Sequence, residues 1–377
     1  MKRIKCRKIV DGGRIFPGYV YYENGVIAAV TEEELPFEAE LDIGENYLSA
    51  GFIDTHTHGA AGADFTFCSA EEAVRAANYH FGHGVTSILP TTLASDRENT
   101  LRALENLRAA AASGKLKGSI VGAHIEGPYF ASSMAGAQNP KYLTDPVKED
   151  YEEILNRFGG FVKKWSYAPE RDKGGEFCRY ISRRGVLASA GHTAAVFDDM
   201  KTAYAAGLRS VTHLYSCTSS VTRAGGFRRL GVTESAYYFE DMYAELIADG
   251  RHVPKELIEL VFRLKKKGTV VLVSDSLSIT GSGEKTGTLN GVPYVVEDGV
   301  AKLADRSGFA GSIATADVLV KTCVEAGVPL AEAVRAVSET PARSLGLKKG
   351  RLAAGYDADF TAFDKDIKIL RAISRGR

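Results

Sequence analysis

The chain has 377 residues, 45% hydrophobic and 25% charged, and its 47 Lys+Arg are balanced by 47 Asp+Glu, so it has the composition of a folded globular protein with ample core. With charge balanced and no charge block, nothing argues for nucleic-acid binding or suggests a membrane surface, and no apolar run is long enough to cross a bilayer. The five cysteines (Cys6, Cys68, Cys178, Cys217, Cys323) are scattered and lack a C-x-x-C pair, and residues 1–6 lack the apolar stretch of a signal peptide, so reduced thiols and a cytoplasmic location are expected.

In chain order, residues 8–13 read as a strand and turn, and residues 19–30 as a hairpin folded about Asn24-Gly25. Residues 47–53 form a short apolar run of buried-strand type, followed at once by Asp54-Thr55-His56-Thr57-His58-Gly59. Helix-like stretches follow at 70–81 and 99–112, and then a strand at 119–126 ending in Glu126. After an irregular loop at 129–147 come two more strand-like runs, 185–192 ending in His192 and 208–213 ending in His213. An irregular segment at 217–238, a helix at 255–267 and a strand at 269–275 ending in Asp275 complete the alternation. Residues 281–298 read as a hairpin insertion, and 350–364 as a turn and strand resembling the first segment.

Repeated strand–helix units imply parallel strands with right-handed crossovers. The stretch 50–347 is close to the typical length of about 250 residues for a (β/α)8 TIM-type barrel with insertions. Residues 1–49 and 348–377 are expected to form one small β-sandwich domain from both chain ends. A doubly wound open sheet is the structural competitor, but it gathers its site at one switch point and would hardly unite five strand ends.

On a strand, alternate side chains share a face, so His56 and His58 point the same way. Imidazole and carboxylate ligands at strand ends suit Zn2+, and also Fe2+, Mn2+ or Co2+. Glu126, His192 and His213 supply one three-ligand position. His56, His58 and Asp275 supply a second, with Glu126 bridging, so one or two ions are expected. An ion there makes a coordinated water acidic near neutral pH. Asp275 could take that proton and return it to a leaving group, which is the equipment of a hydrolase for a carbonyl-type bond. Asp275 could also cap a following helix, and Glu126 could be an ordinary ion-pair partner. His80 and His83 read as structural, and His124 as barrel interior.

The set D-T-H-T-H-G, H-I-E-G-P, A-G-H-T, T-H-L-Y, D-G-R-H, S-D-S and F-A-G-S-I, in this order over nearly the whole chain, resembles the N-acetylglucosamine-6-phosphate deacetylase family of the amidohydrolase superfamily. The resemblance implies removal of the acetyl group from an N-acetylhexosamine 6-phosphate, giving amino-sugar phosphate and acetate. It assigns metal binding to Glu126, His192 and His213, with His56 and His58 for a second ion, and catalysis to Asp275. It places His252 on sugar or phosphate, Phe309, Ala310 and Gly311 along the sugar pocket, and Arg223 on the phosphate of a neighbouring subunit in a homodimer, with Arg228 and Arg229 competing for that assignment. Two departures fall around the substrate. Gln138 replaces the usual carbonyl-polarising histidine of G-A-H-N-P, and Ser216-Cys217 replaces Asn-Ala in H-L-F-N-A-M. The alternatives are a deacetylase for another acetylated sugar, such as N-acetylgalactosamine 6-phosphate, or for an amino acid, a deaminase, and a non-catalytic barrel scaffold.

Overall fold

A computed structural model describes all 377 residues. Eight strand positions run in parallel around a barrel: β1 (Phe52–Thr57), β2 (Val85–Thr92), β3 (Ala123–Glu126), β4 (Val162–Tyr167), β5 (Leu187–Ala190), β6 (Ser210–Val211), β7 (Tyr243–Leu246) and β8 (Val270–Leu272). The short strand Ser119–Ile120 pairs with β2 just before β3 and shares its position. Each strand pairs in parallel with the next, for example Glu126 of β3 opposite Ser166 of β4 and Glu245 of β7 opposite Val271 of β8. No ladder joins β8 to β1. Backbone bonds just beyond their ends close the barrel instead, with Asp275 N–H donating to the His56 carbonyl at 2.8 Å and His58 N–H to that of Ser276 at 2.9 Å.

The helices between these strands follow from amphipathic spacing and local caps. Ala70–Phe81 buries Ala73, Val74, Ala76, Ala77 and His80 on one face, and a Ser69–Glu72 capping box fixes its start. The helix expected at 99–112 begins two residues earlier, at Arg97, because Asp96 caps it through Asn99 N–H. The helix expected to reach residue 267 ends at Leu264, since Lys265 turns to an extended conformation and buries its amine against the Ala236 and Met242 carbonyls.

Both chain ends build a second, seven-stranded sheet. Its strands Lys2–Asp11, Arg14–Glu23, Val26–Thr31, Ala39–Asp42 and Tyr47–Ala50 are joined by Phe360–Phe363 and Ile369–Ile373, around a separate core including Ile4, Val20, Leu48 and Phe360. The Asn24-Gly25 hairpin forms as expected; both residues have positive φ (51° and 79°), the backbone twist that two-residue hairpins require. Gly51 joins this sheet to β1 where any side chain would strike Thr86 at 2.0 Å, so a close approach fixes the glycine. The insertion expected as a hairpin at 281–298 is larger. Thr286–Leu289, Val292–Glu297, Val300–Leu303 and Phe309–Gly311 form a four-stranded antiparallel sheet, which brings the F-A-G loop over the barrel mouth. The irregular 217–238 segment holds an exposed hairpin (Thr222–Ala224, Phe227–Arg229) and the helix Val232–Tyr238.

Candidate metal centre at the barrel mouth

Three of the strands end earlier than the sequence runs suggest, and the metal-competent residues occupy the turns that follow. His192, His213 and Asp275 lie past Ala190, Val211 and Leu272 with φ of 47°, 30° and 47°. Non-glycine residues seldom adopt this left-handed region and concentrate there at functional sites. Here the turn takes each side chain off the strand direction and aims it at the barrel axis. Glu126 and His56 remain inside their strands, and His58 follows β1 directly. Trp165 of β4 anchors the end of β3. Its indole N–H donates to the Gly127 carbonyl at 2.8 Å, and its fully buried ring stacks on Tyr129.

The four imidazoles and two carboxylates meet. Glu126 Oε1 lies 3.2 Å from His213 Nε2, 3.4 Å from His192 Nε2 and 3.2 Å from His56 Nε2. Its Oε2 lies 3.2 Å from His58 Nε2. Asp275 Oδ1 is 3.4 Å from His56 Nε2 and 3.2 Å from His58 Nε2. Glu126 is thus shared by two groups of donor atoms, Glu126/His192/His213 and His56/His58/Glu126, each lying within 4.8 Å of one another. The alternative reading of Asp275 as a helix cap falls away, because its carboxylate faces two imidazoles and the next helix begins only at Ala316.

The donor chemistry fits a divalent cation. His192 Nδ1 donates to the Met134 carbonyl and His213 Nδ1 to the Ser216 carbonyl, both at 3.0 Å. A carbonyl only accepts, so in the neutral rings both Nε2 atoms are lone pairs, and they face each other at 3.2 Å beside a carboxylate oxygen. His56 Nε2 is buried without a hydrogen-bond partner of its own. Without an ion, protons must fill this role. Burial disfavours charge on His58, but hydrogen bonds to Asp275 and Glu126 outweigh it and lift its pKa to about 10. His192 is likewise lifted against burial, by Cys217 and Glu126. Burial opposes ionisation of Asp275, but His56 and His58 hold it at about 2, and the surrounding imidazoles keep Glu126 far below the usual carboxylate range.

Above the ligands opens a cavity of about 360 Å³. His58, Glu126, His192, His213 and Asp275 line its floor, and Gln138, Ser216, Cys217, His252, Phe309, Ala310 and Gly311 its walls; His56 lies beneath. Gln138 is held at both ends of its amide. The oxygen accepts from Ala94 N–H at 2.9 Å and the nitrogen donates to Glu126 Oε2 at 2.6 Å. His252 packs on Phe309 with ring centres 4.9 Å apart, and Asp249 accepts from its Nδ1 at 2.7 Å, leaving Nε2 for the cavity. Arg223 sits on the exposed hairpin and does not line this cavity, nor do Arg228 and Arg229. His124 is barrel interior, bonded to Thr91 and Ser166, and His80 is buried behind the β1 turn against the Gly59 carbonyl.

Three supporting residues were not singled out by the sequence reading: Lys164, Glu245 and Asp249. Their signal was present. Lys164 and Glu245 are ionisable residues inside buried strands, where a charge is seldom left unpaired.

A model described as the amidohydrolase family matches residues 47–376. The N-acetylglucosamine-6-phosphate deacetylase of Bacillus subtilis (strain 168) is 30% identical over 368 residues, covering 95% of this chain and 92% of that protein. The N-acetylgalactosamine-6-phosphate deacetylase of Escherichia coli O157:H7 is 29% identical over 375 residues, covering 98% and 97%. Among solved structures, a mutant N-acetyl-D-glucosamine-6-phosphate deacetylase of Mycobacterium smegmatis in complex with N-acetyl-D-glucosamine-6-phosphate matches with a TM-score of 0.92 at 27% identity, covering 100% of this chain and 98% of that one.

Proposed function

This chain belongs to the amidohydrolase family, within its N-acetylglucosamine-6-phosphate deacetylase branch, and on that premise we propose that it hydrolyses the N-acetyl group of N-acetyl-D-glucosamine 6-phosphate to amino-sugar 6-phosphate and acetate. The observation that carries this reading is the convergence of Glu126, His192, His213, His58 and Asp275 on the floor of one cavity, with His56 directly beneath. It also argues against a non-catalytic scaffold, which has no use for lone pairs turned upon one another.

Glu126, His192 and His213 would hold one divalent ion, and His56, His58 and Asp275, with Glu126 bridging, a second; Zn2+ suits this donor set best. Bound there, the metal supplies Lewis acidity toward water and the acetyl carbonyl. The rest is the work of side chains. Asp275, ionised and at the floor, accepts a proton from the attacking water as its oxygen bonds to the acetyl carbon. It returns that proton to the amide nitrogen as the C–N bond breaks. His252, oriented by Asp249, offers Nε2 to a sugar hydroxyl or the phosphate. Phe309, Ala310 and Gly311 give the sugar a backbone edge, while Ser216 and Cys217 border it near His213.

No lysine or arginine lines the cavity, so a phosphate dianion there lacks a cation from its own chain. This favours a homodimer in which Arg223 reaches the neighbouring site. The same segment exposes Val221, Phe227 and Tyr238, with Phe227 80% accessible, an apolar surface that a second copy would cover. No helix is long and apolar enough to cross a membrane; the likeness to N-acetylglucosamine-6-phosphate deacetylases supports a role in amino-sugar catabolism.

The test is acetate release by metal-reconstituted protein from N-acetylglucosamine 6-phosphate, N-acetylgalactosamine 6-phosphate and the unphosphorylated sugars. Highest kcat/KM on the glucosamine phosphate is expected. Preference for the galactosamine phosphate would move the assignment to the relative that acts on it, and equal rates without phosphate would overturn the phosphosugar reading.

A further inference from the structure

Beneath the ligands, Lys164 of β4 and Glu245 of β7 form an ion pair inside the barrel, with side chains 0% and 2% exposed. Lys164 Nζ donates to Glu245 Oε1, and the other oxygen, Oε2, accepts from His56 Nδ1 at 3.2 Å. We propose that this pair is a positioning device for the second ion position: it fixes His56 in its Nδ1–H form, so that Nε2 is a committed ligand. The inference rests on the two-ion reading above.

The four ligand imidazoles differ in what stands behind them. His192 and His213 lean on neutral backbone carbonyls, and His58 Nδ1 has no partner. His56 alone is backed by a carboxylate. Such a partner fixes the tautomer and ring orientation and raises the basicity of the ligating nitrogen. The ion pair completes the device in two ways. By engaging Oε1, Lys164 holds Glu245 back from the donor cluster, so it supports a ligand and does not become one. By its charge, it balances this third carboxylate within a barrel that already holds Glu126 and Asp275. Fold stability alone is a weak reason for the pair, because a buried ion pair is often no more stabilising than apolar side chains of equal volume.

That difference supplies the test. Full-length protein is stripped of metal and titrated with Zn2+ against a chromophoric chelator, with stoichiometry checked by elemental analysis and thermal unfolding recorded in parallel. Wild type should bind two ions per chain. Lys164→Met/Glu245→Gln keeps an uncharged acceptor for His56, and Lys164→Met/Glu245→Leu removes it. The first ion should be held with unchanged affinity in both. The second should weaken about 10-fold in the Gln variant and toward 100-fold in the Leu variant, while the metal-free Tm of the Leu variant does not fall. Two ions at wild-type affinity in both folded variants would overturn the positioning role and leave the two-ion reading standing. A single ion in saturated wild type would end both. If the Leu variant fails to fold, the Gln variant decides alone by the same measure.

Discussion

Loading the metal-free protein with a divalent ion should release protons, and the amount follows from the charges that crowd the ligands. With no ion, His58 is held protonated by Asp275 and Glu126, with a pKa of about 10. A metal ligand must be neutral imidazole, so that proton has to leave. His58 thus lies about three units above neutral pH, and at about 1.4 kcal/mol per unit its proton costs the ion about 4 kcal/mol at pH 7, roughly a thousandfold in apparent affinity. The sign is fixed. The His58 pKa is raised in the folded metal-free protein, so its stabilisation is complete below about pH 6.5 and is lost as pH rises through about 10. Metal affinity runs the other way, gaining about tenfold per pH unit up to that point, and more steeply where His192 also carries a proton. Calorimetric titration of stripped protein with Zn2+ at pH 7.5, in two buffers of different ionisation enthalpy, counts the protons directly. The expectation is at least about one per chain. A count near zero, or an affinity flat between pH 7 and 9, would refute the electrostatic reading of the centre.

Asp275→Asn keeps the shape but loses the proton acceptor, so kcat should fall by about 10² or more with the fold intact by circular dichroism; near-normal turnover would remove Asp275 from the role. Arg223→Ala should raise KM for phosphorylated substrate and leave Tm unchanged, since the hairpin is exposed. Mixing Arg223→Ala chains with Asp275→Asn chains should restore activity through the hybrid site, and no gain on mixing would contradict a contribution from the neighbour. Trp165→Phe deletes the indole bond to the Gly127 carbonyl and should cost about 1–3 kcal/mol of stability by urea unfolding. It should also weaken the ion at Glu126, and an unchanged ion affinity would show that the turn holds without it.

The barrel and its floor were legible because buried parallel strands are short apolar runs, and because ionisable residues placed where several of these runs stop leave few arrangements open. What the chain did not disclose came from contacts across the barrel. The left-handed turns at His192, His213 and Asp275 have no local marker, since nothing in A-G-H-T or S-D-S requires the backbone to reverse there. Lys164 and Glu245 lie 81 residues apart in sequence, and only closure of the barrel makes them partners. The 286–311 sheet looked like a hairpin because its last two strands, Val300–Leu303 and Phe309–Gly311, are only four and three residues long.

Gln138 and the His56–His58 pair are best understood together. The resemblance to the deacetylase family puts histidine at the position of Gln138, with polarising the acetyl carbonyl as its implied role. Here the amide oxygen is spent on Ala94 N–H and one N–H on Glu126, which leaves a single uncharged donor. Loss of one strong donor at a developing oxyanion costs about 10²–10³ in rate, so on the proposed mechanism a chain with Gln138 would depend on an ion held by His56 and His58. The two features should therefore be coupled. His58→Asn alone should lower kcat by about that factor, and Gln138→His in that background should recover part of the loss, although Gln138→His in wild type gains little. If His58→Asn retained full turnover, or if Gln138→His rescued both backgrounds equally, the two positions would be independent and the carbonyl would have to be polarised by a group other than these.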